Sequence, residues 1–289
     1  MKKIAVIGVP GGWSSEGLAD VVAAKTGNRW LVDLKHVALD LESGRVSDGR
    51  VDLHTMDALI IKKAGSAYSP HLLDRLEMLR YVAARGVKVF SDPLRIIRSL
   101  DRMSCTVTLA AAGIPMPPTA VTEDADKALA FVEVYGKAVF KPLYSTKARG
   151  MEVIERGPDA KDRILEFKAA NPVLYVQRLV DHPGKDLGVA FLGGEYLATY
   201  ARAGAKGAWN TTTRAGGAYE PHTPTPEIIA LAQKAQDLFQ LDFTCVDVVE
   251  TPDGAKVFEV SAFGGFRGLH VACGVDAAER YVEYVLARC

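Results

Sequence analysis

The chain reads as an α/β portion followed by an α+β portion, and three observations predict this. Short apolar runs alternate with helical patterns over roughly the first 95 residues. A proline-rich break, Gly113-Ile-Pro-Met-Pro-Pro118, then stops the pattern, because proline cannot continue a helix. From Val173 onward the runs take on an antiparallel texture, with Gly193-Gly194 marking one hairpin and Pro252-Asp-Gly254 another.

In chain order, Ile4 to Val9 predicts a buried first strand, and Ser14 or Ser15 is placed to cap the helix that follows. Further strands are predicted at Trp30 to Val32, Ala58 to Ile61 and Val87 to Phe90, with an amphipathic helix from Ser69 to Arg85. This alternation argues a parallel, Rossmann-like sheet. Gly8-Val-Pro-Gly-Gly12 lacks the GxGxxG spacing, so it reads as a plain strand-to-helix turn. One helix is expected from Pro93 to Ala112, and a second, capped by Thr122, through Tyr135. Strands Ala138 to Leu143 and Met151 to Ile154 flank a loop, and about ten helical residues follow Asp159. Strands are then expected at Val173 to Val180, Leu187 to Leu192 and Glu195 to Ala201. Thr225-Pro226-Glu227 has the cap, first-turn proline and early acid of a helix start. A last helix is expected from Asp276 to Arg288. The expected units are 1–95, 96–175 and 176–289.

Composition limits the partners. Lysine plus arginine and aspartate plus glutamate are equal at 35 each, which removes any global electrostatic case for nucleic acid or an anionic membrane. The cysteines, Cys105, Cys245, Cys273 and Cys289, have no CxxC spacing, so reduced thiols in a cytoplasm are the simplest reading. No segment reaches the ~20 apolar residues of a membrane helix. The six histidines show no metal spacing and read as structural.

The strongest local signal is the hairpin from Phe243 to Ser261. A three-residue loop, Pro252-Asp-Gly254, would set Thr251 opposite Ala255, Val249 opposite Val257, Asp247 opposite Glu259 and Cys245 opposite Ser261. The other face would pair Glu250 with Lys256 and Val248 with Phe258. Two facing carboxylates repel by roughly 3 kcal/mol at ~5 Å and an effective dielectric of ~20. A divalent cation between them reverses that sign, and a solvated acidic pair on an exposed face is the other reading.

Eight segments recur in order: Asp101-Arg-Met103, Ala111 to Thr119, Val139-Phe-Lys141-Pro, Tyr175-Val-Gln177-Arg-Leu-Val180, Lys185-Asp186-Leu, Arg202, Trp209 to Gly217, and Asp247 with Glu259-Val-Ser261. Together they resemble the ATP-grasp superfamily, in the branch of ribosomal protein S6 modification enzymes and the carrier-protein ligases of lysine biosynthesis. The amino-terminal half, Tyr-Ser-Thr-Lys-Ala-Arg-Gly150 and the glycine-rich stretch after Glu259 also look like the ATP-grasp enzymes of the GAK system.

This resemblance implies an ATP-grasp fold with ATP clamped between two α+β subdomains, and a Mg²⁺-dependent ligase joining a carboxylate to an amine through an acyl phosphate. Mn²⁺ is a possible substitute for Mg²⁺. It implies that Lys141 and Arg102 reach the phosphates, that Thr146 and Gly150 lie in the loop covering them, and that residues 177–180 (Gln177, Arg178, Leu179, Val180) border the adenine. Asp186 would hold the ribose, Arg202 would face the developing acyl phosphate, and Asp247, Glu259 and Ser261 would bind metal. Substrate contacts are expected from Lys62, Lys147, Arg149, Arg214 and Arg267. Small-molecule or peptide carboxylates and amines are the implied partners, and a homodimer or homotetramer the implied assembly.

Several positions depart from the family pattern. Arg102 stands for lysine, Ser261 for asparagine, Arg178 for an acid and Gly188 for arginine. Lys147 and Arg149 read equally as a grip on anions and as a solvated basic loop. The alternative function is an ATP-binding regulatory or interaction module on the same scaffold, with weak or no ligase activity.

Overall fold

A computed structural model describes residues 1–205, 207–212 and 216–289. Its chain begins with β1 (Ile4–Ile7), α1 (Trp13–Thr26), β2 (Trp30–Val32), the hairpin β3 (Ala38–Asp40) and β4 (Arg45–Ser47), β5 (Ala58–Ile61), α2 (His71–Ala84) and β6 (Lys88–Phe90). Four of these strands form a parallel sheet in the order β2-β1-β5-β6. Every residue of β1 and β5 is buried, as expected for central strands covered on both faces. Their carboxyl ends release Gly8 to Gly12 and Lys62-Lys63 at one edge, where open α/β sheets bind ligands.

Two helices follow, α3 (Pro93–Leu100) and α4 (Arg102–Ala111), where sequence periodicity suggests one. Asp101 makes the break. Its backbone is extended, with ψ 120°, and its carboxylate accepts from Met103 N at 3.1 Å and Ser104 N at 3.3 Å. An aspartate at such a position competes with helix continuation by capping the next helix.

The second sheet is antiparallel, ordered β7-β10-β8-β9, from β7 (Thr119–Thr122), β8 (Lys137–Phe140), β9 (Glu152–Glu155) and β10 (Leu174–Arg178). Helices α5 (Ala125–Tyr135) and α6 (Ala160–Ala170) cover one face, around Phe140, Phe167, Ile164 and Val176. Thr122 therefore ends a strand, and Asp124 is the cap of α5, accepting from Asp126 N at 2.8 Å. β10 runs to Arg178, past the expected boundary at 175/176.

The third sheet is ordered β13-β12-β11-β14-β15, built from β11 (Lys185–Leu192), β12 (Glu195–Ala203), β13 (Ala218–Pro221), β14 (Phe243–Thr251) and β15 (Gly254–Ser261). Helices α7 (Pro226–Asp237), α8 (Phe266–Cys273) and α9 (Ala277–Leu286) pack around it. Thr225 caps α7 and Pro226 opens it, as read from sequence. At α1 the cap position is Gly12 instead of a serine, and Ser15 Oγ turns back to accept from Val9 N at 3.2 Å.

The hairpin β14-β15 corrects the expected register near its turn. Thr251 opposes Gly254, so the loop has two residues, and Val249 opposes Lys256 instead of Val257. Gly254 sits at φ 101°, a conformation that favours glycine. The register then shifts by one between Asp247 and Val248, with Phe258 as the extra residue of a β-bulge. Past the bulge, Asp247 opposes Glu259 and Cys245 opposes Ser261, as expected. Because of it, Val257 and Val260 point into the core while Phe258 and Glu259 both face the site.

Replacing Asp101 with Ala removes the cap of α4, and urea denaturation should report a loss of about 1 kcal/mol.

Candidate active site

The three sheets border one cleft of about 700 Å³. On its floor, alternation along four strands places like-facing residues in cross-strand rungs. One rung runs Tyr200, Gly188, Asp247, Glu259, and the next sets Arg202 beside Asp186. Arg202 is the hub. Its Nε donates to Asp186 Oδ1 at 3.2 Å and Oδ2 at 3.1 Å, and its Nη2 lies 2.9 Å from Asp247 Oδ2 and also pairs with Asp186. Thr211 Oγ1 donates to the same Asp186 carboxylate. Although burial works against the charge, Asp247 and Asp186 raise the Arg202 pKa well above its ordinary value. Burial also raises the Asp247 pKa, with Arg202 opposing and Glu259 adding to the rise.

Across the rung, Glu259 Oε2 is 3.3 Å from Arg102 Nη1. Arg102 is itself fixed by Pro142 O at 3.1 Å and by Ser145, which anchors the loop after β8. Lys141 projects from the end of β8, 9% exposed, and its Nζ donates to Gln177 Oε1 at 2.5 Å. Burial, then the charge of Arg102, lowers its pKa to about 7, with Glu259 working the other way. The ammonium lies 5.2 Å from the Phe258 ring, which the bulge turns inward.

The remaining expected residues divide. Thr146, Lys147, Arg178, Leu179, Val180, Ser261 and Arg267 line the cleft. Arg178 N donates to Pro118 O at 2.8 Å and Leu179 N to Lys137 O at 3.0 Å, so among the described residues the Val180 amide is the one on this segment without a protein partner. Arg149 is exposed, and neither it nor Gly150 lines the cleft. The cause is local: Lys147 and Ala148 take left-handed backbone at φ 57° and 54°, and this tight turn carries Arg149 outward. Arg214 lies outside the described residues. Asp186 borders the cleft, but Arg202 and Thr211 already hold its carboxylate. Lys62 is 2% exposed and donates to Phe263 O at 2.9 Å, with Phe266 3.5 Å away under its ammonium. Burial, then Lys63, lowers its pKa well below normal.

Sequence reading missed Phe258, Met151, Tyr68 and Tyr200 as wall residues, and His182, read as structural, is another. Tyr200 occupies the space where a side chain at 188 would lie. A Cβ on Gly188 would meet its ring at 2.3 Å, and one on Gly268 of α8 would meet it at 2.5 Å. The two glycines were the available signal, since bare backbone is needed where a ring is clamped from both sides.

Asp247 and Glu259 offer hard oxygen donors, and each has one oxygen not engaged by its arginine. Among the described residues, no group of three or more His, Cys, Asp or Glu side chains is placed to hold a metal. Two carboxylates fit Mg²⁺, which usually completes its shell with phosphate oxygens and water.

Residues 99–285 match the family description of the RimK-like ATP-grasp domain. The chain belongs to the RimK-like ATP-grasp family. A relative from Methanosarcina acetivorans, a tetrahydromethanopterin:alpha-L-glutamate ligase, is 25% identical over 99% of both chains. A probable alpha-L-glutamate ligase from Thioalkalivibrio sulfidiphilus is 30% identical over 81% of this chain and 77% of its own. In fold, the ATP-grasp ligase PsnB, solved with a precursor variant, Mg and ADP, matches with TM-score 0.75 at 18% identity over 99% of this chain and 98% of its own. This RimK-like protein is thus an ATP-dependent carboxylate–amine ligase. No helix is long and apolar enough to cross a membrane among the described residues.

Two measurements check this geometry. Gly268→Ala should destabilise the protein by about 1–3 kcal/mol, and a double-mutant cycle should show a smaller penalty in a Tyr200→Ala background. Burial, with the charge of Lys147, lowers Lys63 from its ordinary 10.5 to about 8. The unfolded chain then binds the extra proton between those values, so stability should rise with pH from about 8 to 10.5, and Lys63→Met should flatten that rise.

Proposed function

We propose that this ligase activates a carboxylate by phosphorylation at the floor of the cleft and couples it there to an amine. The observation that carries the reading is the pairing of Asp247 with Glu259 beside the bulge, each next to an arginine and both lining the cleft that Lys141 also lines. Bound Mg²⁺ would offset the two carboxylates and draw charge from the phosphates between them, and Mn²⁺, with the same preference for oxygen, would replace it.

The protein's own part is positioning and electrostatics. Lys141 and Arg102 approach from the second sheet side and meet the phosphate end of the nucleotide. Arg202, planar and fixed in orientation by Asp186, presents its guanidinium to the oxygens of the acyl phosphate as that bond forms. Thr146 and Lys147 cover the phosphates, and the Val180 N–H, without an acceptor among the described residues, donates to a ring nitrogen on the adenine edge. For Asp186 to hold ribose it must share its oxygens with Arg202 and Thr211. Ser261 adds a hydroxyl near the metal but no charge. The carboxylate oxygen takes the terminal phosphoryl group and ADP leaves; the amine then attacks the acyl carbon, phosphate departs, and the amine proton passes to solvent.

The substrates proposed are small-molecule or peptide carboxylates and amines, met by Lys62, Lys63 and Arg267, which line the same cleft as residues 177–180. The intracellular setting and a dimeric or tetrameric assembly inferred from sequence belong to the same proposal.

Asp247→Asn and Glu259→Gln should each lower substrate-dependent ADP release by about 10²-fold or more while leaving the fold intact by circular dichroism, the scale of losing one fixed electrostatic element. Wild-type rates from both variants would sink the metal assignment.

A further inference from the structure

The chain has three tryptophans, and two of them, Trp13 and Trp209, line the cleft. Both stay open to solvent there, Trp13 at 49% and Trp209 at 37%. Trp13 begins α1, at the carboxyl edge of the first sheet and beside the turn carrying Gly11 and Gly12. Its ring touches α8: Arg267 Cζ lies 5.3 Å from the ring centroid, and the His270 ring is 5.8 Å away at a tilt of 53°. A tryptophan that only joined α1 to α8 would be covered by them, yet this one lines the cleft with about half of its surface open to solvent. Arg267 is exposed and makes no ion pair among the described residues. Nearby on the same edge, Lys63 follows β5 and reaches over the Phe263 ring at 5.5 Å, again without an acidic partner among the described residues. A half-exposed indole and two cations without an acidic partner among the described residues therefore border the same concave site.

We propose that this end of the cleft is the subsite for a flat aromatic carboxylic acid, the substrate that enters opposite the nucleotide. Trp13 stacks the ring of the acid, and Arg267 and Lys63 attract its carboxylate. An offset-stacked or edge-on aromatic pair gains more than buried area alone, because the electron-rich face of one ring meets the electron-poor edge of the other. The guanidinium on Trp13 stiffens that platform and makes the surrounding potential favourable to anions. The assignment rests on the ligase reading above, and the experiment separates the two.

The test uses the full chain and two acids of equal charge and nearly equal size, phenylacetate and cyclohexylacetate. Ligand-observed NMR titrations are run with saturating ADP and Mg²⁺. Phenylacetate should bind more tightly by about threefold to tenfold, the range one aromatic pair supplies. Trp13→Leu should erase that preference, Trp13→Phe should retain most of it, and Arg267→Gln should weaken both acids. Equal affinities in the wild type, or an unchanged preference in Trp13→Leu, would overturn the subsite while ADP binding stands. Failure of the wild type to bind ADP and Mg²⁺ would instead overturn the ligase reading, and this subsite with it.

Discussion

Charge is stored on one face of the third sheet, and the cleft depends on how it is balanced. Asp186, Arg202, Asp247 and Glu259 meet within two rungs of β-structure and Arg102 reaches them from α4; all but the half-exposed Glu259 are largely removed from water. Removing ions from solvent costs several kcal/mol each unless partners replace the water. Arg202 meets this by touching two carboxylates at once, and Arg102 by joining Glu259 to the backbone of the loop after β8. A satisfied network of this kind rigidifies its surroundings, so the floor is held in one arrangement before any ligand arrives. That arrangement ties the second sheet to the third. Any movement of the loop after β8 pulls on Glu259 through Arg102.

Around this floor the lysines are handled differently. Lys141 is held by an amide oxygen and lies near Phe258; Lys62 is held by a carbonyl and lies over Phe266. Neither has a carboxylate as its direct partner, and burial lowers the pKa of both. Aromatic faces and carbonyl oxygens stabilise an ammonium less than an anion would. The cleft thus holds buried cations without carboxylate partners within a chain of zero formal net charge, an arrangement that favours anionic ligands.

Much of this was legible in order along the chain, and the gaps have physical causes. Alternating patterns identified the parallel strands, and Thr225-Pro226-Glu227 identified α7. Asp247 was paired with Glu259, yet through a turn one residue too long that the bulge at Phe258 then offset. A bulge leaves no periodic signature, since it is one unpaired residue, and it was the feature that brought Phe258 to Lys141. Asp101 split a helix because capping is a local competition that apolar spacing does not report. α8 hid among glycines, one of which, Gly268, makes room for Tyr200. Arg149 sits in a basic run that suggested an anion grip, but two successive left-handed residues turned it outward.

By itself the sequence determined most element types, the parallel-then-antiparallel texture, and the facing of Asp247 by Glu259, because these follow from local patterns of polarity, turn residues and charge. Only the tertiary structure decided which charges are already partnered, which glycines accommodate the Tyr200 ring, and which tryptophans remain open in the cleft. Those outcomes depend on strands and helices far apart in the chain arriving at the same few ångströms, and no local pattern encodes that distance.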